Sequence, residues 1–261
     1  MGRARRRFAL VASIAALVAG RGLAQVPVGD TSRKSPPDTT QRKQLIDPTL
    51  LKPASFVYDM SLERDASTTP LGGRTVSVAA TPYAGSPSWL LLETRIGERI
   101  AATDSLFVDL SLHPLHWSAT IGQARLAAEF RGDSAFGATS GPPGRRSIVM
   151  AVPPRTFVSG AMLETILRLA PIQIGWEDTV ATLSVSLTGA SVSPTRLYVV
   201  SEDRVQVPAG TFDCWVVAAQ SEGSKGLYWV TKRDPIVVRS TLDVPALGGA
   251  QLVSALTRIP R

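Results

Sequence analysis

Alternation of apolar and polar residues dominates this chain from residue 54 onward. Phe56, Tyr58, Met60 and Leu62 alternate with Val57, Asp59, Ser61 and Glu63. Because strand side chains point to opposite faces in turn, this period of two predicts a half-buried strand. Gly72-Gly73 marks a turn into Thr75–Thr81, where Val76, Val78 and Ala80 share a face, and Trp89–Ile96 follows up to Gly97. Arg99–Leu110 and Leu115–Phe130 read as further strands, with Pro114 at an edge or bulge. After Gly141-Pro142-Pro143-Gly144, Ser147–Val152 resumes the pattern. Ala181, Leu183, Val185 and Leu187 against Thr182, Ser184 and Ser186 give the cleanest alternation. Arg196–Val207, the run after Pro208-Ala209-Gly210, Leu227–Thr231, Ile236–Leu242 and Gln251–Ile259 complete the series.

One segment has a different period. From Ser159 to Ala170 the residues Leu163, Ile166, Leu167 and Ala170 recur at helical spacing, with Glu164, Thr165 and Arg168 assigned to the opposite face. Ser159 fits an N-cap and Pro171 ends the run. Short links between strands favour antiparallel neighbours, since parallel crossovers need a dozen or more residues. The expected fold is therefore mainly β: a large curved antiparallel sheet or open barrel of about ten strands, closed by one amphipathic helix over about 159–170.

The chain has 261 residues, 44% hydrophobic and 19% charged, and a formal net charge of +7. Arg3, Arg5, Arg6, Arg7 and Arg21 precede any acidic residue, and setting them aside leaves +2 for the rest. Nucleic-acid binding thereby loses its electrostatic basis. The same arginines open a segment with an apolar run, Phe8–Ala19, too short to span a bilayer, followed by Gly22-Leu23-Ala24. This predicts an export signal over 1–24 cleaved after Ala24, a periplasmic or extracellular mature chain, and no transmembrane segment in it. Arg5-Arg6-Arg7-Phe8 leaves ordinary and twin-arginine export both open. Residues 25–53, with Pro27, Pro36, Pro37, Pro48 and Pro53 among polar residues, read as a disordered linker. Residues 54–261 then form a single β-rich domain.

The string Val205-Gln206-Val207-Pro208-Ala209-Gly210-Thr211-Phe212-Asp213-Cys214-Trp215 is followed by Tyr228-Trp229-Val230-Thr231-Lys232-Arg233-Asp234-Pro235 and the turn Gly248-Gly249. Together they resemble the C-terminal half of a bacterial family of exported β-rich proteins of unknown function. The resemblance spans roughly Phe56–Ile259, and the helix before Pro171 sits where that family places one. It implies a fold reminiscent of the open-barrel lipoprotein carriers of the envelope, in which a helix caps an apolar concavity. It brings no functional residues with it.

Chemistry is sparse. Cys214 is the single cysteine, which excludes an intramolecular disulfide, and it sits between Phe212 and Val216 as a small buried hydrophobe. His113 and His116 flank Pro114, and no cysteine or carboxylate cluster adjoins them, so no metal site is expected. Gly132-Asp133-Ser134 lacks the later glycine of a nucleophile elbow and reads as a polar turn, although a hydrolase using Ser134 stays a minor alternative. No catalytic residues, metal ligands or cofactors are assigned. The expected role is to hold an apolar ligand, a lipid or acyl chain, between sheet and helix, with Leu163, Ile166 and Leu167 as lining. The alternative is a structural or interaction domain of the envelope with a filled core. The partner is accordingly a lipid or an envelope protein, and the oligomeric state is left open.

Overall fold

A computed structural model describes residues 46–259 apart from Arg99, Pro143, Ser159, Pro245 and Ala246, and for Ile100 the backbone alone. The proposed export signal, Ser159 as a cap, and the linker as far as residue 45 lie outside the described residues. The linker boundary itself moves. Ile46 and Leu51 are buried in the main core, around a short 3-10 turn at Pro48–Leu50 whose N-cap Asp47 accepts from the Thr49 amide. Proline spacing suggested a tether as far as residue 53, but two isolated apolar side chains are enough to anchor residues 46–53 to the domain.

Fifteen strands follow: β1 Ala54–Arg64, β2 Ser67–Ala80, β3 Trp89–Gly97, β4 Ile100–Val108, β5 Pro114–Ile121, β6 Ala124–Arg131, β7 Ser134–Gly141, β8 Gly144–Ala151, β9 Thr156–Val158, β10 Glu177–Ser186, β11 Gly189–Val207, β12 Gly210–Ser221, β13 Ser224–Thr231, β14 Val237–Val244 and β15 Ala250–Arg258. The one helix of the described residues, α1 (Ala161–Leu169), lies between β9 and β10. The mainly β class, the curved open sheet and the single helix agree with the sequence reading; the strand count exceeds it. Leu115–Phe130, read as one strand, is the hairpin β5–β6, because Gly122 with φ of 57° reverses the chain within two residues.

All fifteen strands form one sheet in the order β8-β7-β6-β5-β4-β3-β2-β1-β15-β14-β13-β12-β11-β10-β9. Two antiparallel meanders thus run outward from a central seam where β1 pairs with β15, and only β9–β10 is parallel. Laid flat, fourteen spacings of about 4.8 Å would make this sheet about 67 Å wide. Yet β8 and β9, at opposite edges, are joined by four residues, an extended reach of about 17 Å. The sheet must therefore curl until its edges approach each other. Arg146 of β8 donates to the Thr188 carbonyl beside β11 at 3.3 Å across that gap.

The helix fills the concave side. Its residues Met162, Leu163, Ile166, Leu167 and Leu169 join Leu91, Leu106, Trp117, Leu126, Leu183, Leu197 and Val217 in the main core. A second cluster, with Phe56, Tyr58, Val76, Cys214, Val238 and Leu256, packs around Ala161. Burial surrounds the helix further than an amphipathic stripe requires: Glu164 and Thr165, expected to face solvent, are buried as well. Thr165 satisfies its hydroxyl on the Ala161 carbonyl, whereas Glu164 needs a cation.

Candidate functional site

Period-two geometry brings that cation into place. On β2 the inward parity that buries Val76 and Val78 continues to Arg74; on β3 it runs Leu91, Glu93, Arg95; on β4 it runs Val108, Leu106, Asp104. Strand register sets Arg74 opposite Arg95 and Glu93 opposite Asp104. Directly opposed like charges repel, so the bonds run elsewhere. Arg74 donates from Nε to Glu93 Oε1 at 2.8 Å and from Nη2 to Oε2 at 3.1 Å, and its Nη1 reaches Glu164 Oε1 on the helix at 2.6 Å. Arg95 Nε donates to Glu93 Oε1 at 2.5 Å. One oxygen of Asp104 accepts from the Trp117 indole of β5 at 2.7 Å.

Four of the charged side chains settle differently. Burial pushes the Glu93 carboxyl up, but the Arg74 and Arg95 guanidinium groups outweigh it and hold the group at about 2. Glu164 has a single arginine, and burial wins, leaving its carboxyl above the ordinary value. Asp104 is pushed up to about 7, first by burial and then by the Glu93 charge. Arg74 is held well above its ordinary value: burial opposes its charge, and the two carboxylates more than offset this. Its guanidinium also lies 5.3 Å from the centre of the Tyr58 ring, whose hydroxyl donates to the Val237 carbonyl at 2.9 Å.

Beside this cluster, between helix and sheet, lies a cavity of about 250 Å³. Its charged end is formed by Arg74, Arg95, Asp104 and Glu164, next to Trp117 and Gly160. Ala119, Ile121, Leu126, Leu163 and Val185 supply apolar wall, and hydroxyl-bearing residues of β10 to β15 line the rest. Gly160 caps the helix with φ of 94°, a conformation that favours glycine, and a Cβ there would lie 3.6 Å from Glu93 and 3.8 Å from Asp104. The amino end of the helix therefore faces two carboxylates, the favourable sense for its dipole.

Of the three lining residues expected from sequence, all of them in the main core, Leu163 lines the cavity and Ile166 and Leu167 do not. The lining is amphipathic rather than apolar. Sequence reasoning missed Arg74, Glu93, Arg95, Asp104, Trp117 and Glu164; for the four on β2, β3 and β4 the signal was a charged residue continuing the buried parity of an apolar run.

The other sequence candidates lie apart. His116 meets Glu129 at 2.8 Å on the side of β5 opposite Trp117, and His113 meets Asp109 at 3.2 Å in a turn. No metal-holding group of three or more His, Cys, Asp or Glu occurs among the described residues. The Ser134 hydroxyl donates only to the neighbouring Asp133 carboxylate, at 3.3 Å, among the described residues. Cys214 is a free, buried thiol, pushed up to about 12 by burial and by the Asp203 and Asp213 charges. No helix of the described residues is long and apolar enough to cross a membrane.

Residues 58–250, about three quarters of the chain, match the model of DUF3108, described as a protein of unknown function. This agrees with the turn motifs at the level of a β-rich family without an assigned role. No curated protein matches significantly in sequence. Among solved structures, a candidate exported protein with a YmcC-like fold from Bacteroides fragilis is similar, with 13% identity, 79% of this chain and 95% of that chain covered, and a TM-score of 0.30.

Proposed function

We propose, for a chain that belongs to the DUF3108 family and takes no assigned role from it, that it is an exported protein holding a small amphipathic molecule between sheet and helix. The observation that carries this reading is a cavity with charged groups at one end and apolar wall beside them. Ligand sites combine mostly apolar walls with a few convergent polar groups. Size limits the ligand: at about 30 Å³ per water, the space equals about eight waters. A space of this size suits a short single chain. Export is supported by the arginine-led apolar segment at the start of the chain.

Native mass spectrometry and solvent extraction of the protein, purified from the envelope or secreted fraction, test both parts. The expected result is a processed chain beginning at Gln25 with a small amphiphile bound, and loss of that amphiphile in Ala119→Phe, which fills the cavity. A chain recovered only empty, with Ala119→Phe indistinguishable from it, rejects the binding role. That outcome supports the second reading, a structural domain of the envelope, which draws on how much of the concave side is already filled by the helix and its core.

A further inference from the structure

The polar end of the cavity holds more carboxylates than cations. The groups that face one another there are Tyr58 of β1, Arg74 of β2, Glu93 and Arg95 of β3, Asp104 of β4, Trp117 of β5, Glu164 of α1 and Tyr228 of β13. Arg74 is fully engaged by two carboxylates. Arg95 is held to Glu93, with about a third of its side chain accessible. Among the lining groups and their hydrogen-bonded partners, three carboxylates stand against these two cations; Arg168, over the Phe56 ring, lies outside the lining. Asp104 uses one oxygen for the Trp117 indole and Glu164 one for Arg74; the second oxygen of each has no hydrogen-bond partner among the described residues. Tyr228 also lines the cavity, and its hydroxyl has no hydrogen-bond partner among the described residues. The amino end of α1 offsets only part of the excess negative charge.

We propose that the cavity selects amphipathic amines, the ammonium seated between Asp104 and Glu164 and the alkyl chain along Ile121, Leu126, Leu163 and Val185. An ammonium offers three donors and a charge opposite to the excess. A carboxylate head would add a fourth anion to a site whose arginines are already paired. This inference rests on the cavity reading and specifies its ligand. It also fixes a pH dependence. Asp104 is held up to about 7 by burial and then by Glu93, and an ammonium needs its ionised form. Amine binding therefore displaces a proton from Asp104 below neutrality and tightens from pH 6 to pH 8. A fatty-acid ligand would show the reverse.

The test is calorimetric titration of the mature protein with octylamine, octanoate and octanol at pH 6, 7 and 8, with circular dichroism to confirm that the fold persists. Octylamine is expected to bind at least about tenfold more tightly than octanoate at pH 8, and more weakly at pH 6. Asp104→Asn keeps an acceptor for Trp117 and is expected to weaken octylamine about tenfold, flatten its pH profile and leave octanol unchanged. Octanoate or octanol binding as tightly as octylamine, or an unchanged octylamine profile in Asp104→Asn, overturns the head-group assignment while the cavity reading stands. Binding of none of the three, with wild type and Ala119→Phe alike, overturns both.

Discussion

At the scale of single residues, Arg74 decides whether the interior is tolerable. It is the only partner of the buried Glu164 among the described residues and shares the buried Glu93 with Arg95. Removing one member of a buried ion pair leaves an uncompensated charge, which costs about 3–5 kcal/mol. Arg74→Met is expected to lower stability by that order in urea melts. Adding Glu164→Met should recover much of the loss, because a buried pair replaced by packed apolar side chains is often neutral. Two carboxyls in the same cluster give opposite pH signatures. Glu93 titrates at about 2 when folded and near 4.5 when unfolded, so its contribution is complete above pH 4.5 and lost as pH falls toward 2. Asp104 is raised from 3.8 to about 7, so it costs nothing below pH 4, and the cost grows until pH 7 and stays constant above. Thermal melts of Asp104→Asn should accordingly match wild type at pH 4 and exceed it at pH 8.

The elements were legible to different degrees. Strand existence followed from alternation, and the helix from the spacing of Leu163, Ile166 and Leu167. Hairpins closed by two residues, such as Gly122-Gln123 between β5 and β6, leave only a switch of buried parity, here from Trp117 and Ala119 to Ala124, Leu126 and Ala128, and a run of small apolar residues blurs that switch. The helix was also read too simply, since a polar residue at a periodic position looks solvent-facing until its tertiary partner is known. Glu164 finds that partner 90 residues away on β2, a separation no local pattern reports. The β2–β3 pair has a local demand of its own. A Cβ on Gly97 would lie 1.8 Å from the Leu71 carbonyl oxygen, and one on Gly72 would lie 2.2 Å from that of Ile96. Backbone atoms cannot swing aside as a flexible side chain can. Gly97→Ala should therefore destabilise by about 2 kcal/mol or more in equilibrium unfolding, and it displaces the strand that carries Glu93 and Arg95.

For the whole molecule, the ends of the described chain meet at the middle of the sheet. Val57 pairs with Arg258 and Glu63 with Gln251, so β15 joins the β1–β8 meander to the β10–β14 meander. A truncation ending after Val244 would remove this seam and open the edges of β1 and β14 together. It is expected to yield no cooperative unfolding transition and to aggregate, as unpaired strand edges do. A point change on outermost β8, such as Val149→Thr at an exposed position, should leave unfolding within about 0.5 kcal/mol of wild type. The sheet order itself could not be read from sequence, because hairpin signals specify neighbours along the chain and say nothing of which ends close on each other.

That seam also governs the timing of folding. β1 has no partner on its β15 side until β15 itself has been made, so the two meanders cannot be joined before then. Contacts of such long sequence separation make for slow folding. Until β15 is in place, the chain carries an unsatisfied backbone ladder along β1, a free strand edge of the kind that invites pairing with other chains.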